Sequence, residues 1–317
     1  MKKITTAIIE AIQKSTSVLV CGHIRPDGDC VGSALAMRRI CQKLGKHADA
    51  VCDVDSFSSF SFLPDFELFG KTRRKYYDLF ISVDCANATR LGVYKDVLES
   101  AKNSIYIDHH PTREGYAEIN CIDSTASSTC AIIFELFDGC DIIDKDIATM
   151  LYTGLSTDTG HFMHSNTDTR VFETAAALSR FGVDIAAVNR AIYCDVSLNK
   201  LRLTARVLDG MRFFEDGRIA LITITQSDLD ECGCTTEDTE GLIDNASSVH
   251  GVKISIAVCE QSGSIYRISL RSAGADVSKV ANVFGGGGHK VASGCIISGA
   301  RDAVIDKIVK ASAAALK

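Results

Sequence analysis

Short apolar runs rich in β-forming residues alternate with helical stretches in the first half of the chain. The predicted strands are SVLVCG (17–22), ADAVCD (48–53), YDLFISVD (77–84) and SIYIDH (104–109). Apolar positions near helical spacing predict helices in the segment CVGSALAMRRICQKLG, which Gly45 would terminate, and at 127–138, 145–157 and 168–181. This alternation predicts an α/β domain in which crossover helices join parallel strands and cover both faces of the sheet.

Residues 183–211 are predicted to be almost wholly helical, and after them the pattern changes to strands joined by tight turns. FFEDGRIALITIT and VKISIAVCEQSGSIYRISLRS each predict a hairpin, with turns at Asp216-Gly217 and at Ser262-Gly263. Three further helices are predicted, at about 237–249, 276–283 and 301–316. We therefore predict three parts: an α/β domain over 1–185, a helical linker over 186–211 and a smaller α+β domain over 212–317.

Composition supports a folded chain of about two domains. The 317 residues are 46% hydrophobic and 23% charged, and their net charge is −6. A chain of this charge has no broad basic surface with which to hold duplex DNA, so any polyanionic substrate must be bound locally.

The cysteine pattern and the N-terminus bear on the compartment. Thirteen Cys is an odd number without framework spacing, polar residues interrupt the N-terminal segment, and no apolar run reaches the length of a membrane helix. We expect a cytoplasmic protein with no membrane partner, in which the cysteines act as small apolar residues. A homodimer is left open, with no face to assign to it.

Candidate chemistry follows the predicted strands. The first strand leads into GHIRPDGD, the third ends in SVDC, the fourth in IDHH, and the helix at 145–157 runs into STDTG. Because the carboxyl ends of parallel strands meet at one edge of a sheet, acids and imidazoles from four places should converge there. These residues are His23, Asp27, Asp29, Asp84, Asp108, His109, His110 and Asp158.

Such a set of carboxylates requires a counter-charge, because like charges a few ångströms apart repel one another. Two divalent metal ions would supply it, and the mixture of carboxylate and imidazole favours Mn²⁺, since no thiolates with zinc-finger spacing accompany them. A pair of metals suits in-line displacement at phosphorus and lowers the pKa of a water. The predicted reaction class is therefore phosphoester hydrolysis.

The same motifs resemble a known family. GHIRPDGD, SVDC, IDHH and STDTG are similar to the motifs of the DHH phosphoesterase superfamily, and FGGGGHKVASG is similar to its DHHA1 companion domain. The resemblance covers both halves in the right order. It implies that 1–185 is a DHH domain with the metal site and that 212–317 is a DHHA1 domain that binds substrate. The most similar branch is that of the bacterial oligoribonucleases that also act on pAp, the nanoRNases.

The resemblance also implies roles for residues. One metal would be held by His23, Asp27 and Asp84, and the other by Asp29, Asp84, His109 and Asp158, with Asp84 bridging. Asp108 would orient an imidazole. His110 would face the substrate phosphate and assist the leaving group.

In the second half the predicted substrate-binding residues are Arg271, Ser272, Gly286, Gly287, Gly288 and His289. The glycines allow close backbone approach and N–H groups that point at an anion, and Arg271 suits bidentate contact with phosphate. The resemblance places Arg271, Ser272 and His289 around the terminal phosphate of the substrate, in a site between the two domains.

Other polar residues have structural interpretations. A solvated loop explains His161 and His164, an Asx turn suits Asn166 at least as well as a nucleotide contact, and a helix-surface salt bridge is the preferred interpretation of Arg90. The basic cluster at 71–75 is interpreted as a solvated face.

The resulting hypothesis is an enzyme that hydrolyses RNAs of a few residues to mononucleotides and also acts on pAp to give AMP. The first alternative is hydrolysis of cyclic or linear dinucleotides such as c-di-AMP or pApA by the same metals. The second is a non-catalytic nucleotide-binding regulator. Inorganic pyrophosphatase and long-strand exonuclease activities are disfavoured.

Overall fold

The computed structural model describes residues 2–54, 60–74, 76–111 and 115–316. The chain divides into two compact units, Met1–Asp195 and Val196–Lys317. Within the described ranges, none of the helices combines the length and the apolar character that crossing a membrane requires.

The first unit is built on a five-stranded sheet in which all neighbouring strands are parallel. Its strands are β1 (Ser17–Cys21), β2 (His47–Val51), β3 (Leu79–Val83), β4 (Asn103–Asp108) and β5 (Ile119–Ile122). Their order across the sheet is β2-β1-β3-β4-β5. The chain therefore reverses its direction of travel between β1 and β3, and a crevice opens at the carboxyl ends of such a pair.

Helices cover both faces of this sheet, as the sequence predicts. They are α1 (Lys2–Lys14), α2 (Gly28–Lys43), α3 (Lys95–Ser100), α4 (Thr129–Phe137), α5 (Lys145–Asp158), α6 (Thr169–Ser179) and α7 (Ile185–Tyr193). The larger core joins α1, α2, α4 and α5 to one face, where Val18 and Val20 of β1 point. Leu19 and Phe80 point to the opposite face and pack against α3 and the 3₁₀ segment Ala88–Tyr94. The alternation along β1 thus feeds two separate cores.

Side-chain caps fix where the helices around the crevice begin. Asp27 accepts a hydrogen bond from the Cys30 amide and starts α2, and Ser128 accepts from the Ala131 amide and starts α4. Both caps lie directly after a strand or its connection, so two helix N-termini begin close to the carboxyl edge of the sheet.

The second unit is a mixed sheet between two layers of helices. Its elements are α8 (Leu198–Asp209), β6 (Arg212–Phe214), β7 (Ile219–Ile224), α9 (Gln226–Cys232), α10 (Leu242–Ser247), β8 (Ile254–Glu260), β9 (Ile265–Ser272), α11 (Val277–Val283), β10 (Gly287–Gly288), β11 (Ala292–Ser298) and α12 (Arg301–Ala314). The strand order is β10-β11-β9-β8-β7-β6, antiparallel except for β7 and β8. Both predicted hairpins are confirmed, β6 with β7 and β8 with β9.

Several short elements were not predicted from the sequence. β5 has four residues, and β11 contains Gly294 and is followed by Gly299, so neither gives an apolar run that stands out. α9 reads as a polar stretch because only Leu229 is buried in it. The predicted linker, 186–211, contains α7 and α8 with a break at 194–197, and its role as a linker stays a prediction.

Candidate metal centre and substrate site

The predicted residues of the first unit converge at the carboxyl edge of the sheet. Nε2 of His109 lies 3.1 Å from Asp158 Oδ2, 3.5 Å from Asp84 Oδ1 and 4.0 Å from Asp29 Oδ2. Four different segments supply these side chains, as the strand-end argument requires. We call the whole group the strand-end cluster: His23, Asp27, Asp29, Asp84, Asp108, His109, His110 and Asp158.

Asp84 lies between two imidazoles. Its Oδ2 is 3.5 Å from Nε2 of His23, and its Oδ1 is 3.5 Å from Nε2 of His109. The side chain is buried at the end of β3, and the hydroxyl of Thr129 donates a hydrogen bond of 3.2 Å to Oδ1. The backbone of Asp84 has a left-handed φ of 51°, a strained conformation of the kind that clusters at functional sites.

The orientation of His23 is fixed from its other nitrogen. Nδ1 lies 2.7 Å from the carbonyl oxygen of Ile24, so that nitrogen is the donor and Nε2 faces Asp84 and Asp27, the latter at 3.8 Å. Nη2 of Arg90 lies 3.2 Å from the same ring. The surface salt bridge interpretation of Arg90 is therefore wrong, because its guanidinium lies beside the strand-end cluster.

Asp29 is anchored by the first turn of α4. Its two carboxylate oxygens accept hydrogen bonds from the backbone amides of Thr129, at 2.6 Å, and Cys130, at 2.9 Å. The positive end of a helix favours a carboxylate there. Burial and the nearby Asp84 nevertheless raise the pKa of the Asp29 carboxyl well above its usual value. Asp29 is therefore positioned as a ligand, and its charged carboxylate form needs a counter-charge that the surrounding protein does not supply.

Asp108 holds His110. Its Oδ1 lies 2.7 Å from Nδ1 of His110 and accepts the His110 amide at 3.1 Å, while its Oδ2 accepts a hydrogen bond from the Tyr106 hydroxyl. Burial opposes both charges, but the pairing with His110 lowers the pKa of Asp108 and the pairing with Asp108 raises the pKa of His110. The ring is thus held protonated on Nδ1 and in one orientation.

Asp158 ends α5 and begins a tightly bonded loop. Its carbonyl oxygen lies 3.3 Å from Nδ1 of His164 and accepts the side-chain amide of Asn166 at 3.2 Å. The ring of His161 packs edge-on against Tyr193. His161 is half-buried by this contact, whereas His164 is exposed, as the predicted solvated loop requires. Burial and the nearby Asp29 raise the pKa of the Asp158 carboxyl.

The electrostatics of the cluster fit divalent cations. Burial disfavours charge on His23, yet the neighbouring carboxylates of Asp27 and Asp84 raise the pKa of the ring to about 10. Against partial desolvation, the pairing with His23 lowers the pKa of the Asp27 carboxyl. The proton on the His23 ring neutralises part of the charge of Asp27 and Asp84, which a bound cation would otherwise neutralise. Among the residues that the structure describes, three groups of three or four place ligand atoms within 4.8 Å of one another: Asp84, Asp108, His109 and His110; His23, Cys30 and Asp84; and Asp29, His109 and Asp158.

In the second unit the strand register brings Arg271 and Ser272 beside the residues that follow the glycine run. Arg271 pairs with Ala292 across β9 and β11, and the Ser272 amide donates to the Val291 carbonyl at 2.9 Å. His289 and Ala292 exchange two backbone hydrogen bonds, of 2.7 and 3.2 Å, and so close a tight hairpin. Arg271 is partly exposed and lies 3.7 Å from Asp244. The predicted phosphate-binding residues therefore share one end of the second sheet.

Part of the backbone of the glycine run is paired within the second unit. The amides of Gly285 and Gly286 donate to carbonyls of α11, and the His289 amide donates to Ala292. The glycines also allow close packing. A Cβ on Gly286 would lie 2.2 Å from the Gly294 carbonyl oxygen, and one on Gly288, whose φ is 137°, would lie 2.6 Å from that of Ala292. The role of Gly286, Gly287 and Gly288 in binding an anion stays a prediction.

Two residues of the centre were missed from the sequence. Tyr106 precedes Asp108 by two positions in β4, so both point to one face of the strand, and this period of two was a usable signal. Thr129 supports Asp84 from the start of α4, more than forty positions away along the chain. Only the tertiary structure reveals that contact.

Comparison with known proteins defines the class. Residues 17–155 match the DHH family, N-terminal domain, and residues 221–317 match the DHHA1 domain. The two matches span most of the chain, which belongs to the DHH family of metal-dependent phosphoesterases and is an enzyme of the hydrolase class.

Three individual proteins are each similar to 90% or more of this chain. The chain is 24% identical to the bifunctional oligoribonuclease and PAP phosphatase NrnA of Bacillus subtilis, over 92% of this chain and 93% of that one. It is 28% identical to the cyclic-di-AMP phosphodiesterase PdeA of Listeria monocytogenes, over 90% of this chain but 45% of that one. A crystal structure of an exopolyphosphatase-related protein from Bacteroides fragilis superposes with a TM-score of 0.92 at 25% identity, covering 98% of this chain and 96% of that one.

Proposed function

We propose that this enzyme hydrolyses very short RNA oligonucleotides to mononucleotides and pAp to AMP, with two divalent cations, Mn²⁺, bound in the strand-end cluster. His23, Asp27 and Asp84 would hold one cation, and Asp29, Asp84, His109 and Asp158 the other. The observation that carries the proposal is the position of Asp84, whose two oxygens face imidazoles on opposite sides at 3.5 Å.

The bound cations would supply Lewis acidity to the phosphoryl oxygens and lower the pKa of an attacking water. The protein's own contribution is position and proton transfer. Asp108 fixes His110 through a hydrogen bond of 2.7 Å and raises its pKa, against the effect of burial. A protonated His110 directed at the substrate would donate to the leaving oxygen, which is the usual contribution of a general acid.

The second unit would bind the terminal phosphate of the substrate. Arg271 offers the planar donor pair that suits phosphate, and the hairpin of β10 and β11 places His289 at the same end of the sheet. Since these groups contact a phosphate rather than a base, the enzyme would accept any short sequence. The activity for which the Bacillus subtilis relative is named agrees with this substrate class.

The test is a substrate panel with the purified full chain and Mn²⁺. Labelled RNAs of two to about twenty-four nucleotides, pAp, c-di-AMP, pApA and pyrophosphate are compared, with Asp84→Asn as the inactive variant. Asp138→Asn is the matched control, because Asp138 is an exposed carboxylate at the end of α4. Rapid release of mononucleotides from the shortest RNAs, together with AMP from pAp, is the expected result.

Hydrolysis of cyclic or linear dinucleotides is the second candidate. It is favoured by the similarity to the Listeria monocytogenes phosphodiesterase over 90% of this chain. Turnover of c-di-AMP or pApA alone would replace the main proposal with this one. Binding of Mn²⁺ and nucleotide without turnover of any substrate would favour a regulatory protein.

A further inference from the structure

A buried thiol lies inside the candidate metal centre. Cys30 is fully buried in the first turn of α2, next to Asp29. Its Sγ and one ligand atom each of His23 and Asp84 all lie within 4.8 Å of one another. The family-based division of ligands gives Cys30 no role, so the sulfur is an additional donor at the His23 end of the cluster.

The backbone around Cys30 fixes the position of this sulfur. The Cys30 amide donates to Oδ1 of Asp27 at 3.0 Å, which holds the residue in the capped first turn. A Cβ on Gly22 would lie 2.2 Å from Sγ, so only glycine at the end of β1 leaves room for the thiol. The sulfur therefore lies against the strand end from which His23 projects.

The two ends of the cluster offer different donor atoms. Asp29, His109 and Asp158 present nitrogen and oxygen, the set that suits Mn²⁺. His23, Cys30 and Asp84 present nitrogen, sulfur and oxygen, a set that suits borderline and soft ions. For Zn²⁺ the bonds are about 2.3 Å to sulfur and about 2.0 to 2.1 Å to nitrogen. Asp27, 3.8 Å from His23 Nε2, offers a fourth ligand with its remaining oxygen.

We propose that the His23 end of the centre is a thiophilic site, at which Zn²⁺, Co²⁺ or Cd²⁺ displaces Mn²⁺ and takes Cys30 Sγ as a ligand. As the metal–sulfur bond forms, the thiol proton passes to solvent. The inference rests on the proposed metal centre and extends it, because it assigns a metal preference to one end only.

The test follows Co²⁺ and Cd²⁺ binding to the full chain by sulfur-to-metal charge-transfer absorption, with competing Mn²⁺ followed by its electron paramagnetic resonance signal. We compare wild type, Cys30→Ser and Cys41→Ser. Cys41 is the matched control, because it is also fully buried on α2 but lies in the hydrophobic core. Wild type and Cys41→Ser should show the band at one equivalent of metal, and Cys30→Ser should lose it. The affinity of Cys30→Ser for Cd²⁺ should fall about tenfold or more, and that for Mn²⁺ should change less than about threefold.

Other outcomes separate the two proposals. Cys232 and Cys234, at and just after the end of α9, are a competing pair of thiols for a soft metal, so a Cys232→Ser/Cys234→Ser variant is included. If Cys30→Ser keeps the band, or if only the Cys232→Ser/Cys234→Ser variant loses it, the thiophilic site is wrong while the metal centre stands. If wild type binds no Mn²⁺, the metal centre itself fails. Should Cys30→Ser fold poorly by circular dichroism, X-ray absorption of the Co²⁺-loaded wild type decides the matter, since one sulfur neighbour is expected and a shell of nitrogen and oxygen alone would overturn the proposal.

Discussion

The two candidate sites of this protein are held in opposite ways. In the strand-end cluster most side chains are buried and form hydrogen bonds with the surrounding protein. Asp29, for example, accepts hydrogen bonds from two backbone amides of α4. In the second unit Arg271 is partly exposed and His289 is exposed at one end of a sheet, and the backbone amide of His289 helps to close a hairpin.

This difference shows what each site needs. Buried carboxylates repel one another unless the scaffold forces them together and a cation neutralises them, so the first site must be rigid before any ligand arrives. A phosphate already carries its charge and seeks exposed donors, so the second site needs only a strand register that brings them to one place.

The largest effect is expected from the shared carboxylate. Asp84→Asn should lower kcat on dinucleotide RNA by about 10²–10³ or more, the order seen when one preorganised stabilising group is removed. The fold should persist, because the variant relieves the repulsion that helps to raise the pKa of Asp29. Steady-state kinetics and thermal unfolding measure both effects, with Asp138→Asn as control. Activity close to that of the control would contradict the claim that the buried, rigid strand-end cluster is the metal centre on which the reaction depends.

A substitution in the candidate phosphate-binding site of the second unit should change KM. Arg271→Ala removes a charge-assisted contact of about 1.5–3 kcal/mol, so KM for short RNA should rise about 10- to 100-fold while kcat changes little. Arg301→Ala is the control, because Arg301 is an exposed arginine at the start of α12. A fall confined to kcat would show that Arg271 acts on the chemical step and that the contrast between the sites is wrong.

A smaller effect should separate activity from stability. Tyr106→Phe removes the hydrogen bond to Asp108, and Tyr77→Phe removes an equivalent bond of 2.6 Å to the buried Asp49 away from the cluster. Each should lose about 1 kcal/mol of unfolding free energy. Only Tyr106→Phe should also lose activity, by about tenfold, because Asp108, which orients His110, then lacks one of its partners. Equal activities of the two variants would remove Tyr106 from the site.

The smallest effect concerns two adjacent glycines. Gly288→Ala should cost about 1–3 kcal/mol of stability, because its φ of 137° disfavours a side chain and its Cβ would approach the Ala292 carbonyl. Gly287→Ala meets nothing within 4 Å and should stay within about 0.5 kcal/mol of wild type. Chemical denaturation measures the pair. Equal losses of unfolding free energy in the two variants would mean that these glycines are needed for something other than closing the hairpin.

How far the sequence reached can be judged from particular residues. The sequence predicts that Asp84, His109 and Asp158 lie together, because each stands where a strand or a helix ends at one edge of the sheet. The structure places Nε2 of His109 3.5 Å from an oxygen of Asp84 and 3.1 Å from an oxygen of Asp158. For the glycine run the sequence predicts close backbone approach, but a row of glycines gives no information on which of its amides pair with a neighbouring strand.

The sequence by itself determined the two folds and the edge at which the acidic and imidazole side chains meet, because periodicity and strand ends are local properties of the chain. Only the tertiary structure decided which atom faces which. The contact of Thr129 with Asp84, the position of Arg90 beside His23 and that of the Cys30 sulfur join residues that are far apart in the chain or separated by a turn. Such contacts depend on packing distances of a few ångströms, which no pattern of residue types encodes.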